Sequence, residues 1–272
     1  MMSLTNQKMI GREQIIQTIS HALNRLPYVH ALFEGGAAGF DRLDEWSDID
    51  LYILVDDHKA KDTFTTVEKS LTSLSRIIQK YDVPQTQWKN VSQAFYRLEN
   101  TSEYLIIDLA VLETSSEEKF LDPSVHGKAV FYIGKGDEIG VPRLNVEVFV
   151  DKILKRIERV QARFSMFNCF VQKEINRGNL IEAADLYYNL TLASLLEALR
   201  IKHNPVHYDF KTRYVHRELP EDVIQELENL YFVRNTSDLQ EKCVLAARWF
   251  HETIKAISKE EIEKRLLELQ NP

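Results

Sequence analysis

Apolar residues in the first half of this chain fall into short strand-like runs separated by helical stretches. Past Pro142 helical spacing takes over alone. Val29-His30-Ala31-Leu32-Phe33 reads as a buried strand, and Ile49, Leu51, Ile53 and Val55 alternate with Asp50, Tyr52 and Leu54 as a second. Tyr104–Leu112 is an apolar strand interrupted by one aspartate, Asp108. Shorter strands are expected around Gln85–Trp88, Ala94–Leu98 and Ala129–Ile133. One helix is expected over Glu13–Leu26, where Ile15, Ile16, Ile19, Ala22 and Leu26 share a face and Pro27 ends the run. Another should run from Lys59 to about Lys80, with Phe64, Val67, Leu71, Leu74, Ile77 and Ile78 inward, until Asp82-Val83-Pro84 breaks it.

Beyond residue 142, helices are expected over 146–177 (one or two), 180–203, 221–232, 239–257 and 259–270, which together make a bundle. The fold class is therefore α+β: a mixed sheet with flanking helices over residues 1–143, then a helical domain over 144–272. Gly134-Lys135-Gly136-Asp137 lacks the spacing of a phosphate-binding or dinucleotide loop and reads as a turn.

Chemistry concentrates in the first half. Gly35-Gly36 closes the first strand, and Ser47-Asp48-Ile49-Asp50 opens the second. Alternation puts Asp48 and Asp50 on one face, about 7 Å apart along the chain. Paired carboxylates repel each other, and a divalent cation relieves that repulsion. Asp108 is costly within its apolar run unless it is paired, metallated or at the sheet surface. If its strand lies beside the Asp48/Asp50 strand, three carboxylates converge in a way that suits two Mg²⁺ ions sharing oxygen ligands with substrate phosphates.

A glycine pair, about ten residues of spacer, an Asp-x-Asp between apolar residues and a later apolar strand with one aspartate resemble the polymerase-β-type nucleotidyltransferase superfamily. Within it, the chain is similar to small bacterial antibiotic nucleotidyltransferases of the aminoglycoside and lincosamide type, and to their relatives. Those proteins join this domain to a C-terminal helical one. The resemblance implies a nucleotidyltransferase domain over 1–143 and a substrate or partner domain over 144–272. It implies that Gly35 and Gly36 hold a triphosphate, that Asp48 and Asp50 bind metal, and that Asp108 binds the catalytic metal or helps deprotonate the attacking hydroxyl. Two Mg²⁺ ions and ATP, or another nucleoside triphosphate, follow as cofactor and co-substrate, with a hydroxyl of a small molecule, such as an antibiotic, as acceptor.

The family's usual Gly-Ser stands here as Gly35-Gly36, so one phosphate-facing hydroxyl is missing and backbone N–H groups must serve, helped by a helix starting at Ala37-Ala38. Arg42 is the nearest basic residue after the turn, and Ser47 is a further nucleotide-binding candidate. In the helical half, the aromatic and basic stretch 204–217 offers Lys211 and Arg213 as phosphate-neutralising cations and Tyr208 and Tyr214 as stacking surfaces. The competing reading is a packed loop with solvated cations. Arg200 and His207 have the spacing of helical HEPN ribonuclease-type domains, but Pro205 between them would break the helix that should display both. Two other readings stay open: a regulatory or antitoxin-like protein acting on a partner protein, and a silent nucleotide-binding module.

Composition adds boundaries. The 272 residues carry a net charge of −7 and no basic block, which argues against duplex nucleic acid and suits a cationic small molecule. No apolar run reaches the roughly 18 residues of a membrane span, and no signal peptide is visible, so a cytoplasmic location is expected. Cys169 and Cys243 sit in apolar helical patterns as buried free thiols, which fits a reducing compartment. His30 reads as a hydrogen-bonded core residue, and His251-Glu252 has no second histidine to make a zinc motif.

Overall fold

Strands β1 (Val29–Glu34), β2 (Ile49–Val55), β3 (Ile77–Asp82), β4 (Val91–Leu98), β5 (Ile107–Glu113) and β6 (Val130–Ile133) form one sheet in the order β3-β4-β5-β2-β1-β6. Only β2 and β5 run parallel; the other neighbours are antiparallel. The structure is a computed structural model that describes residues 9–84, 86–134, 139–140 and 144–270. It divides into two compact units, Met1–Arg143 and Leu144–Pro272. The α+β expectation is met, with a mixed sheet and flanking helices in the first unit and helices in the second.

Alternation explains how the sheet is covered. Ile49, Leu51 and Ile53 of β2 and Ile107, Leu109 and Val111 of β5 share one face. They pack there with Ile15, Ile16 and Ile19 of helix α1 (Arg12–Leu23) and Val67 and Leu71 of helix α3 (Ala60–Leu74). The intervening residues look the other way, where Phe33, Leu54, Ala110 and Leu112 pack with Phe120 and Leu121. Asp50 and Asp108 belong to this second face, one alternation before Tyr52 and Ala110. The helix-covered face thus anchors the strands while the heads of β2 and β5 offer polar groups on the opposite side.

Several expectations are corrected. The helix expected to reach Lys80 stops at Leu74, and Ile77–Asp82 is the edge strand β3, paired with β4. Ile77 and Ile78 sit at helical spacing from Leu74, but the extended Ser75 releases the chain to satisfy its backbone on β4. No strand forms over 86–88; Thr86 Oγ1 instead donates to the carbonyls of Trp88 and Val91 in a turn after Pro84, while Gln85 lies outside the described residues. Of the turn expected at Gly134–Asp137, residues 135–137 lie outside them too. His30 is hydrogen-bonded to Asp56 at 2.7 Å but is exposed rather than in the core. Cys169 is exposed; Cys243 is half-buried, and burial pushes its thiol up to about 12.

Helix α4 (Pro123–His126) precedes β6 in the first unit, and the second unit comprises α5 (Val146–Phe167), α6 (Cys169–Arg177), α7 (Leu180–Leu186), α8 (Ala193–His203), α9 (Val215–Glu218), α10 (Glu221–Tyr231), α11 (Thr236–Ala256) and α12 (Lys259–Gln270). The single helix expected over 180–203 carries a π-helical stretch at Tyr187–Leu192 between α7 and α8. There the hydroxyls of Tyr187 and Tyr188 donate to the carbonyls of Leu230 and Tyr231. A core of Phe164, Leu195, Leu199, Leu227 and Phe250, among others, holds these helices. Among the described residues no helix is long and apolar enough to cross a membrane.

Arg200 is the largest fully buried side chain, and it organises the connection after α8. Its guanidinium donates to the carbonyls of Lys211 and Arg213 and to Glu218, which also meets His207 at 3.0 Å. His207 is buried and stacks on Phe210 at 3.9 Å. Neither Arg200 nor His207 is presented to solvent, and the bonds that both make close the loop. Pro205 opens a short 3-10 turn, breaking the helix as expected. Replacing Glu218 by leucine leaves Arg200 buried without its counter-charge and should cost about 3–5 kcal/mol in urea unfolding. A cost near zero would show that the pair does not hold the loop.

Candidate active site at the head of the parallel strands

β1 ends in Glu34, and the next two glycines turn the chain across the head of β2. Gly35 N–H donates to the Asp50 carbonyl at 3.0 Å. Gly36 has φ of +53°, and a Cβ added there would lie 1.8 Å from Asp50 Oδ2. Both the conformation and the contact require glycine, because the turn lies directly against the Asp50 carboxylate. The helix that follows, α2 (Gly36–Gly39), has only four residues. The expected helix N-terminus is therefore a single turn, and its pull on an anion is correspondingly small. What remains is a close backbone approach beside a carboxylate.

The parallel register places Asp50 directly opposite Asp108 on β5. Asp108 accepts a hydrogen bond from Gln93 Nε2 at 2.7 Å. Burial raises its carboxyl to about 6; the Gln93 bond works against this, while the charges of Asp50 and Asp48 push in the same direction as burial. Asp48 precedes β2 and is held differently: its Oδ1 accepts from the backbone N–H of Ile106 at 3.1 Å. The three aspartates are thus gathered at the heads of two adjacent strands, with Asp48 turned toward the chain entering β5. Among the described residues, no set of three or more His, Cys, Asp or Glu side chains is grouped so that it could hold a metal ion as it stands.

A brace missed by sequence reasoning underlies this arrangement. Arg12, the first residue of α1, donates to the Asp48 carbonyl at 3.2 and 3.3 Å and forms an ion pair with Glu34. Glu34 is only 2% exposed, and Tyr132 of β6 donates its hydroxyl to it at 2.6 Å. Arg12 thereby ties the end of β1 to the start of β2, the two segments flanking the glycine turn. Glu34, an acid closing an apolar strand, was the available signal. Gln93 gave none, being one polar residue in a strand of mixed character.

The remaining candidates lie as follows. Ser47 donates its hydroxyl to Asp44 at 2.8 Å and accepts from Asp44 N–H at 2.9 Å, so it serves the turn entering β2. The Arg42 guanidinium lies over the Phe40 ring at 4.8 Å, three residues beyond the end of the short helix. Lys211 and Arg213 belong to the second unit and are exposed; their carbonyls close the Arg200 loop, and the Arg213 guanidinium lies over Phe210 at 4.8 Å. Tyr208 packs edge-on to Phe149. Tyr208, Phe210 and Tyr214 of this loop are half-buried, while Lys211 and Arg213 face solvent.

No family model matches the chain, and no curated protein matches it. Solved structures do resemble it. An aminoglycoside 6-adenyltransferase from Bacillus subtilis is 14% identical with a TM-score of 0.35, over 97% of this chain and 100% of that one. Spectinomycin adenyltransferase AAD(9) from Enterococcus faecialis, solved with ATP and spectinomycin, is 13% identical with a TM-score of 0.36, over 94% and 100%. At such values the site must be read from its own residues.

Two outcomes check the geometry. Gly36→Ala forces a Cβ onto the Asp50 carboxylate in a left-handed conformation and should lower stability by about 1–3 kcal/mol in chemical denaturation; an unchanged midpoint would mean that the turn does not lie against Asp50. In metal-free buffer the raised Asp108 carboxyl gives stability that is full below about pH 4 and lost as pH rises through about 6. Asp108→Asn, which keeps the Gln93 bond, should therefore gain on the wild type by on the order of 1–3 kcal/mol between pH 4 and pH 8. A pH-independent difference would show that Asp108 is not under this pressure.

Proposed function

We propose that this protein transfers a nucleoside monophosphate from a triphosphate to a hydroxyl of a small molecule, with Asp48, Asp50 and Asp108 as its catalytic carboxylates. The observation that carries this reading is the register pairing Asp50 with Asp108 beside a glycine turn with no room for a side chain. Carboxylates drawn together with a raised Asp108 suit hard divalent cations, and Mg²⁺ shared with phosphate oxygens is the natural occupant. Asp48, Asp50 and Asp108 would hold it. When bound, Mg²⁺ supplies charge neutralisation of the triphosphate and a more acidic acceptor hydroxyl.

The chain's own residues supply the rest. At Gly36, where no side chain intervenes, the backbone would approach the β- and γ-phosphates, and its N–H would stand in for the absent serine hydroxyl, since the Gly35 N–H is held by the Asp50 carbonyl. The acceptor oxygen bonds to the α-phosphorus as the bond to the β-phosphate bridging oxygen breaks. Pyrophosphate leaves with that electron pair, and the hydroxyl proton passes to Asp108 or to solvent. Arg12 and Glu34 keep the turn and the aspartates in step. ATP is the first nucleotide to try, because the enzymes that the motif resembles use it.

Incubation with Mg²⁺, labelled ATP and an antibiotic panel tests the reading. Pyrophosphate release with label on a small molecule supports it, label on protein points to a partner-modifying protein, and nucleotide binding without release points to a silent module. The Asp48→Asn/Asp50→Asn variant should lose about 10²-fold or more of the transfer rate. Undiminished transfer in that variant would remove both residues from their assigned role.

A further inference from the structure

The bend between α5 and α6 carries large apolar side chains on its outer side. Met166 is 66%, Phe167 42% and Phe170 37% exposed, and the two phenylalanine rings meet edge to face with centroids 5.5 Å apart. They are surplus to the core. On the inner side of the same turns Val160, Phe164 and Val171 are already buried, with Phe164 stacked on Phe250 at 4.0 Å. The bend is also fixed in place. Asn168, which joins the two helices, accepts a hydrogen bond at 2.7 Å from the hydroxyl of Thr191, a fully buried residue of the π-helical stretch. The apolar tip is thus held outward by a well-anchored corner, at a standing cost in water.

Charge around the tip runs against that of the whole chain. The protein carries −7, yet between Glu158 and Glu174 it has three cations, Arg159, Arg163 and Lys173, and no acid. All three are exposed. Helical spacing sets Arg159, Arg163 and Phe167 on one stripe of α5. On α6 the Lys173 ammonium lies over the Phe170 ring at 4.5 Å. Glu174 turns inward, where Arg177 and Asn179 take up its charge. The exposed acids of the adjoining α7 are Glu182 and Asp185, and Asp185 accepts from the Asn189 amide.

Size and shape select the occupant. The tip offers on the order of 250 Å² of apolar side chain, well short of the roughly 800 Å² that each partner buries in a stable protein–protein interface. From Ser165 to Phe170 every residue except Asn168 is exposed, so the corner projects, and a rigid partner would need a matching hollow. A lipid headgroup layer needs none, because it deforms around an apolar wedge and, when anionic, attracts the cations beside it. Phenylalanine flanked by arginine and lysine is the combination by which interfacial helices hold such a layer.

We propose that the α5–α6 bend is a docking site for anionic lipid surfaces, with Met166, Phe167 and Phe170 entering the headgroup–acyl boundary and Arg159, Arg163 and Lys173 meeting the headgroups. The contact is peripheral and reversible, as three side chains and three charges dictate, and it is independent of the transfer reaction. Flotation of the full-length protein with vesicles tests it, comparing phosphatidylcholine alone with phosphatidylcholine containing about a third phosphatidylglycerol. Binding should be about tenfold or more tighter on the anionic vesicles and should fall steeply as NaCl rises from about 0.05 to about 0.5 M.

Phe167→Ser/Phe170→Ser and, separately, Arg159→Gln/Lys173→Gln should each weaken that binding about tenfold or more while leaving the circular dichroism unchanged, since all four positions are exposed. A bimane on the exposed Cys169 thiol, between the two phenylalanines, locates the contact in a Cys243→Ala background. Lipids brominated near the top of the acyl chain should quench it. Equal binding to neutral and anionic vesicles, binding to neither, or undiminished binding in both variants would overturn the proposal. So would an unquenched label on vesicle-bound protein. Retention on polyglutamate in place of vesicles would assign the corner to an acidic protein, and self-association abolished by the phenylalanine variant would assign it to a second copy; either result also overturns it.

Discussion

Everything at the candidate site depends on two like charges being forced together. The parallel register of β2 and β5 sets Asp50 opposite Asp108, and the Gly35-Gly36 turn presses its backbone against Asp50 from the other side. A sheet built only for stability would not place carboxylates in neighbouring positions at low exposure, since each disfavours the ionisation of the other. Burial is the main reason that the Asp108 carboxyl is raised, and the charges of Asp50 and Asp48 add to it. A cation bound there would turn the conflict into affinity.

The surroundings keep the conflict from relaxing. Buried side chains on the helix-covered face fix the register of β2 and β5. The Arg12–Glu34–Tyr132 brace links α1, β1 and β6 to the backbone of Asp48. Gln93 reaches from β4 to Asp108 and limits how far its carboxyl can swing. Sliding β2 by one residue would relieve the repulsion, but it would also turn Ile49, Leu51 and Ile53 out of the core. That cost exceeds what two carboxylates on a sheet edge can repay.

The second unit follows a different logic, in which its polar groups serve closure. Arg200, His207 and Glu218 form a buried network, and two backbone carbonyls complete the guanidinium's partners. The sequence presented the same residues as possible chemistry because spacing alone does not report burial. Only the position of Arg200 under its loop shows that its charge is consumed within the fold.

The sequence by itself determined most of the local structure and the identity of the acids. Alternation marked β1, β2 and β5, and the glycine pair and the single aspartate in an apolar run marked the residues now found together. It failed where a neighbouring segment decided the outcome. Ile77–Asp82 carries helical spacing yet becomes an edge strand because β4 offers backbone partners. His30 lies in an apolar run yet stays at the surface beside Asp56. Tertiary structure alone decided the pairing of Asp50 with Asp108 and the Arg12–Glu34 brace. Each joins residues far apart in the chain, and periodicity records which face a residue takes but not which strand will lie beside it.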